Sequence, residues 1–478
     1  MTRNHLVAIA IAIVCTVLPF AGQFYGDRAA GGLMIDFRAY YCAASALGRH
    51  ENPYFIASLH PCERAPAPPF YRAPANVTVP APYPPYVLIL IYPLTLLPFS
   101  VAAMVWWLIL GLCLLLATYA LARVTRQPPL IAWAVLALSL GLTSLTSGNM
   151  VTICVTALLI AALWAQQGYF QAAAFAIALA MVEPQLALPA AIAVFIRFPA
   201  ARLFLVLLGA LFAAGSLAAS GLAQSLAYIT TVLPAHALSE VSRDNQYSLS
   251  TIVAALGVPD AQAVIIGSIS YVVMATAGII VGLRLARDYH EPAFALLVPP
   301  AFSLFGGTFV HTGEFAIAAP ACLLLLVRTK TYRGPLLVVV ALLAVPWMLA
   351  TSLATLFAPV FPVAVLVYVL GGRDRILTLA SVVSSLAVIG LLFFASHHSV
   401  SHGIVHDVLR PRIDERLAEA SWRDFVLTNS TNRLAMWLLR APTWLGLVGF
   451  VLFATAAIRG FPLRHGTVAP YGNIQGRG

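Results

Sequence analysis

Charged side chains are scarce in this chain. Asp, Glu, Lys and Arg make up 9% of its 478 residues, while 61% are hydrophobic. Soluble globular domains carry about 25% charged residues, so no soluble fold of this size could hide so much apolar surface. The sequence also lacks an internal repeat, a His/Cys cluster at metal-ligand spacing, a Gly-rich phosphate loop and a Ser/His/Asp elbow. Those gaps leave no metal site and no cofactor to expect. A soluble basic face is missing too. The net charge of +10 comes from residues scattered among loops, which is how membrane topology is encoded, so nucleic acid is not an expected partner. The first stretch, "HLVAIAIAIVCTVLPFAG", has no clear small-residue cleavage site after it and reads as a retained span.

What is present is a succession of apolar segments of bilayer length, about 20 residues each with a range down to about 17. They predict an all-α polytopic membrane protein, a single integral domain over 1–478, with about 12–14 spanning or re-entrant helices. Arginines cluster in particular connections: Arg123 and Arg126, Arg197 and Arg202, Arg284 and Arg287, Arg328 and Arg333. The positive-inside rule puts these and the N-terminus in the cytoplasm. The loops 23–83, 221–262 and 397–440 are then external. Segment 84–98 is short and reads as re-entrant, which requires 169–196 to cross twice. The latter is broken by "VEPQ", whose Pro184 predicts a kink.

The first external loop contains "MIDFRAYYCAASALG", read as an interfacial helix over 36–49 with Asp36 as a good N-cap, closed by Gly48. Phe37 and Tyr41 would share an aromatic face at the interface. Cys42 and Cys62 fall in the same loop, where an oxidising environment makes a disulfide one option and two free thiols the other. A Pro-rich tract follows, unable to form helix or central strand and so extended. In 397–440, "DERLAEASWRDFVLTNSTNRLAMWLLR" has the apolar spacing of an amphipathic helix lying flat on the membrane.

Ionisable residues at membrane depth are costly and mark function by default. Asp36 is a cap or a catalytic base. His311, in "FGGTFVHTGEF", stands three residues from Glu314, with Gly306 and Gly307 leaving room near the backbone. It is either a hydrogen-bonded structural histidine or a partner for a phosphate or an acceptor hydroxyl. Glu183 caps the helix starting at Pro184, or pairs with an arginine. The polar run "SEVSRDNQYSLSTI" offers Arg243, Asn245, Gln246 and Ser248 to a phosphate or a sugar; the plainer reading is a polar lead into a helix.

Taken in order, the Asp after the first span, "NPYF", "YPPYVLILIYPLTLLP", "GNM", the Pro-interrupted span, "NQYSL" and an external His resemble the GT-C-fold glycosyltransferases. The pattern is most similar to the polyprenyl-phosphate-mannose-dependent α-mannosyltransferases, which include phosphatidylinositol mannoside mannosyltransferases, over roughly residues 1–330. The resemblance implies a bacterial plasma-membrane enzyme. It would move a sugar, mannose by analogy, from a polyprenyl-phosphate donor to a lipid or glycan hydroxyl on the external face, with membrane lipids as surroundings. It maps the family's essential Asp onto Asp36 and its external His onto His311. The donor-binding patch maps onto Asn245 and Ser248, with Arg243 and Gln246 beside them, and the "YPP" start onto Tyr83. Asn149, Tyr40 and Glu314 are further candidates. Two positions depart from the family. Gly148 directly precedes Asn149 where Gly-Gln is usual, and Glu183-Pro184 replaces Lys-Pro. Lys there suits a phosphate, whereas Glu repels one.

Two rival readings stand beside this one. A surface-polysaccharide polymerase or ligase using lipid-linked oligosaccharide would place its Arg and His in a late external loop, and 397–440 holds His397, His398, His402, His406, Arg410, Arg412 and Arg416. A transporter or flippase would show repeats and midplane charges; only Glu183 and Glu314 suggest it.

Overall fold

The computed structural model describes residues 17, 20–25, 32–67, 70, 76–243, 246–329, 332–347, 360–370, 375–398, 412–429 and 434–458. Among them the secondary structure is helical, with no named strand. In chain order the helices are α1 (Ile35–Gly48), α2 (Ile56–Arg64), α3 (Pro85–Ile91), α4 (Phe99–Thr125), α5 (Pro129–Leu136), α6 (Val151–Gln166), α7 (Phe170–Ala180), α8 (Pro184–Arg197), α9 (Pro199–Ala227), α10 (Leu233–Glu240), α11 (Leu249–Ala255), α12 (Asp260–Asp288), α13 (Phe294–Ser303), α14 (Ala318–Arg328), α15 (Arg333–Ala344), α16 (Val360–Leu370), α17 (Arg375–His398), α18 (Ala418–Asn429) and α19 (Leu434–Ile458). Helices α3, α5, α8 and α9 begin on proline, whose fixed φ suits the first helical position and whose missing N–H is no loss there.

Four stretches are long and apolar enough to cross a bilayer: Phe99–Thr125, Pro199–Glu240, Asp260–Asp288 and Trp437–Ile458. Shorter apolar helices pack among them. This is a polytopic membrane-embedded architecture of the GT-C-like kind. In α9, Leu203, Val206, Leu207 and Leu211 are exposed, as expected for a helix solvated by lipid tails rather than by protein. At Gly221 (φ 75°) the chain leaves helical geometry, and a conformation that only glycine adopts without strain turns α9 toward α10.

The two ambiguous segments have definite paths. Tyr83, before α3, meets Tyr40 of α1 through their hydroxyls, and the carbonyl of Leu97, after α3, accepts from Tyr41. Segment 84–98 therefore starts and ends beside the same helix. Phe170 at the start of α7 stacks on Phe198 just past α8, ring centroids 4.4 Å apart. Segment 169–196 turns back at the proline, as the re-entrant reading of 84–98 requires: α7 and α8 run antiparallel, with Glu183 at the turn.

A polar cluster with Arg328 marks one end. Gln166 and Arg328 both donate to the Val124 carbonyl and to Glu291, which ties together the ends of α4, α6 and α14 and the start of the α12–α13 connection. Asp36, Asn149, Glu183 and His311 lie at the other end.

Two local expectations are corrected there. Asp36 is not the N-cap of α1. Met34 is, in the left-handed region (φ 62°) with no side-chain cap, and Asp36 sits in the first turn. Phe37 is no interfacial belt residue; it is fully buried, stacked on Trp106 and Phe99. Helix α18 buries the Trp422 and Val426 face against α10, and residues 54–56 and 76–78 bind the same segment: Ile56 N–H donates to the Arg416 carbonyl, Ala418 N–H to the Tyr54 carbonyl, and Thr78 N–H to Ser421 Oγ.

Candidate active site

The site is assembled on the loop before α6. Thr146 and Ser147 carbonyls accept from the backbone N–H groups of Met34, Asp36 and Phe37, so unpaired donors at the start of α1 are satisfied by this loop. Gly148 takes φ +80°, and a Cβ there would stand 2.6 Å from the Phe37 Cβ. Only glycine lets the two segments close and delivers Asn149 beside Asp36. Asn149 Oδ1 accepts from the Val151 N–H at 2.9 Å, and its Nδ2 donates to Asp36 Oδ2 at 2.9 Å. With the oxygen committed to the backbone, the amino group has to face the carboxylate. Asp36 is half-buried and opens onto a cavity of about 940 Å³, within the size range of ligand pockets.

A hydrogen-bond chain runs along the cavity wall. Asn149 Nδ2 also donates to the Tyr40 hydroxyl at 3.3 Å. Tyr40 and Tyr83 hydroxyls are 3.2 Å apart, and Tyr83 donates to Glu183 Oε1 at 2.6 Å. Because Tyr83 spends its proton on the carboxylate, Tyr40 must donate to Tyr83. Gln185 Nε2 donates to Glu183 Oε2 at 2.6 Å and reaches Glu314 Oε1 at 3.4 Å. Glu183 is therefore neither a side-chain cap of α8 nor the partner of an arginine.

The other wall is cationic. Glu240, 1% exposed, accepts from Arg243 Nη1 at 3.1 Å, Gln246 Nε2 at 2.7 Å, Trp422 Nε1 at 2.6 Å and His311 Nε2 at 3.2 Å. His311 Nδ1 lies 3.9 Å from Glu314 Oε1. Burial favours the neutral imidazole, but hydrogen bonds to Glu240 and Glu314 outweigh it and raise the His311 pKa to about 9. The Arg243 guanidinium covers the Trp422 ring at 4.9 Å. Gly306 allows this loop to seat tightly, since a Cβ would meet the Ser270 backbone at 2.5 Å.

The cavity thus gathers Asp36, Tyr40, Tyr83, Asn149, Glu183, Arg243, His311 and Glu314. Gln246 and Ser248 are fully buried and do not reach its surface. Gln246 braces the His311 loop, its Oε1 accepting from Val310 N–H, and Ser248 caps α11 by accepting from Thr251 N–H. Asn245 lies outside the described residues, as do His402, His406 and Arg410. Cys42 and Cys62 form a disulfide that ties α1 to α2. Among the described residues no three His, Cys, Asp or Glu side chains are grouped to hold a metal ion.

Sequence reading passed over Glu240, Gln185 and Trp422. Glu240 lies three residues before Arg243, the helical spacing of an ion pair, so it was findable. Trp422 was not, because its place depends on a contact with a helix 182 residues earlier in the chain.

Residues 82–305 match the profile of Glycosyltransferase family 87. This similarity points to a membrane glycosyltransferase. The matched region includes Tyr83, Asn149, Glu183, Gln185 and Arg243 and leaves Asp36, His311, Glu314 and Trp422 outside it. No curated protein matches the chain.

Proposed function

We propose that the cavity transfers a sugar from a polyprenyl-phosphate donor to a hydroxyl of a lipid or glycan acceptor, with Asp36 as the general base. The supporting observation is the placement of an oriented carboxylate, Asp36, in the same cavity as the Arg243–His311 pair. The Asp36 carboxylate removes the acceptor proton as the acceptor oxygen bonds to the anomeric carbon. The bond from that carbon to the phosphate oxygen breaks, and its electron pair leaves on the phosphate. Arg243 and protonated His311 meet the charge that develops there. One displacement gives inversion, so no second catalytic carboxylate is needed.

A lipid-linked donor suits the cavity's apolar side. Leu188, Ile229 and Val272 line the cavity and are also 44%, 60% and 62% exposed on the lipid-facing surface, which gives a hydrocarbon chain a lateral path. The positive-inside rule places the Arg328 end in the cytoplasm and the cavity at the external face. Mannose as the sugar rests on the family resemblance. The reading is tested with purified protein in lipid, radiolabelled polyprenyl-phosphate mannose and a membrane lipid extract. Label moving to an acceptor lipid supports it; binding of lipid-linked oligosaccharide with no use of the monosaccharide donor favours the polymerase or ligase reading.

A further inference from the structure

We propose that Glu183, Gln185 and Glu314 form the surface that recognises the donor sugar, and that it selects a sugar without negative charge. The inference rests on the lipid-phosphate donor reading above and adds the class of sugar.

The cavity's charge is divided. Glu240 is matched by Arg243 and His311. Glu183, 3% exposed, is bonded only by neutral donors, the Tyr83 hydroxyl and the Gln185 amide. Glu314 is also 3% exposed; its Oε1 meets His311 Nδ1 at 3.9 Å and Gln185 Nε2 at 3.4 Å, and only its Oε2 has no hydrogen-bond partner. Glu183 thus has no cation beside it, and the unpaired buried oxygen of Glu314 is costly. Both residues line the cavity. An array of carboxylate oxygens around one amide accepts hydrogen bonds from hydroxyls or an ammonium and repels carboxylate, sulfate or phosphate.

The position fits a sugar. Glu314 is one contact from His311, and Glu183 is linked to Asp36 through Tyr83, Tyr40 and Asn149. A phosphate at Arg243 and His311 would put its sugar against this face, with Asp36 on the same cavity wall. The acidic face also separates the two ends by charge: a phosphate is attracted to Arg243 and repelled from Glu314. Specificity of this kind acts by rejecting the wrong ligand as much as by binding the right one.

The test compares binding of citronellyl phosphomannose and citronellyl phosphomannuronate, which differ only in a hydroxymethyl against a carboxylate, to the full chain in lipid nanodiscs. Bare citronellyl phosphate reports on the phosphate end alone. Wild type is expected to favour the mannose compound by at least about tenfold, a modest demand on a like-charge clash in a buried site. Glu314→Gln and Glu183→Gln should narrow that ratio while each still binds citronellyl phosphate, a change that a purely structural role would not produce. Equal binding of both sugars by wild type overturns the inference. An unchanged ratio in both variants removes the selection from this face and also overturns it. If citronellyl phosphate itself does not bind wild type, the donor reading fails and the inference fails with it.

Discussion

Asn149 holds Asp36 by a hydrogen bond of 2.9 Å while its own oxygen is tied to the Val151 backbone. The amide is thus a fixed donor to the carboxylate, keeping one Asp36 oxygen occupied and leaving the other for substrate. Asn149→Ala should lower kcat by about 10- to 100-fold, the scale of losing one oriented catalytic contact, with a much smaller change in KM. Steady-state kinetics with a lipid-linked sugar donor checks this; an equal effect on KM alone would assign Asn149 to substrate binding.

Gly148 makes that contact possible. Gly148→Ala forces a side chain into a left-handed conformation, costing about 1–2 kcal/mol, and sets its Cβ against Phe37. Thermal unfolding in detergent should show a lower Tm, and activity should fall further than the Tm shift explains, because α1 and the Asn149 loop must move apart.

His311 carries a pH signature. Its folded pKa is raised to about 9, above an unfolded value near 6.5. The stability it contributes is therefore complete below about 6.5 and is lost as pH rises through about 9. Donor binding should weaken over the same alkaline range as the imidazolium loses its charge. His311→Gln should bind donor more weakly and lose that limb of the profile, read by binding titrations across pH.

Glu63 and Glu419 behave in the opposite sense to ordinary surface carboxylates. Burial pushes both to about 8, offset only partly, for Glu63 by the Val79 N–H and Arg38, and for Glu419 by its own backbone N–H. Neither Glu419 oxygen has a side-chain hydrogen-bond partner. The folded state holds these protons longer than the unfolded one, so stability should decline from about pH 4.5 to 8 and level off above. Glu419→Gln should flatten part of that decline in unfolding measured across pH.

The disulfide Cys42–Cys62 closes a loop with a sequence separation of 20. The chain-entropy estimate for such a loop is about 3 kcal/mol. Reductant, or Cys42→Ser, should lower the Tm and loosen α1, detected as faster amide exchange around Tyr40.

Much of this site was legible in the sequence because costly residues are informative in an apolar chain. Asp36, Glu183, His311 and Arg243 stood out against their surroundings, and all four line one cavity. Their roles in local structure were less legible. Asp36 looked like a cap because Asp often is one; the structure satisfies the start of α1 from the Thr146–Ser147 carbonyls instead, a long-range pairing that local propensity cannot reveal. Glu183-Pro184 read as a kink, and the re-entrant path of 84–98 already required 169–196 to turn back, but the residues that hold the turn were hidden, since proline at a helix start and proline within a helix are the same letter. The reversal depends on Phe170 meeting Phe198. Ser248 was open to two readings, a ligand hydroxyl or a polar lead into a helix, and its oxygen caps α11.

The central claim is that Asp36 is the base. The direct measurement is transfer of radiolabelled mannose from polyprenyl phosphate by wild type and by Asp36→Asn, with donor binding measured on both. The account expects transfer by wild type, loss of at least about a thousandfold in kcat for Asp36→Asn as for removal of an essential base, and unchanged donor binding. Equal transfer by the two proteins would contradict it and return Asp36 to a structural role at the start of α1.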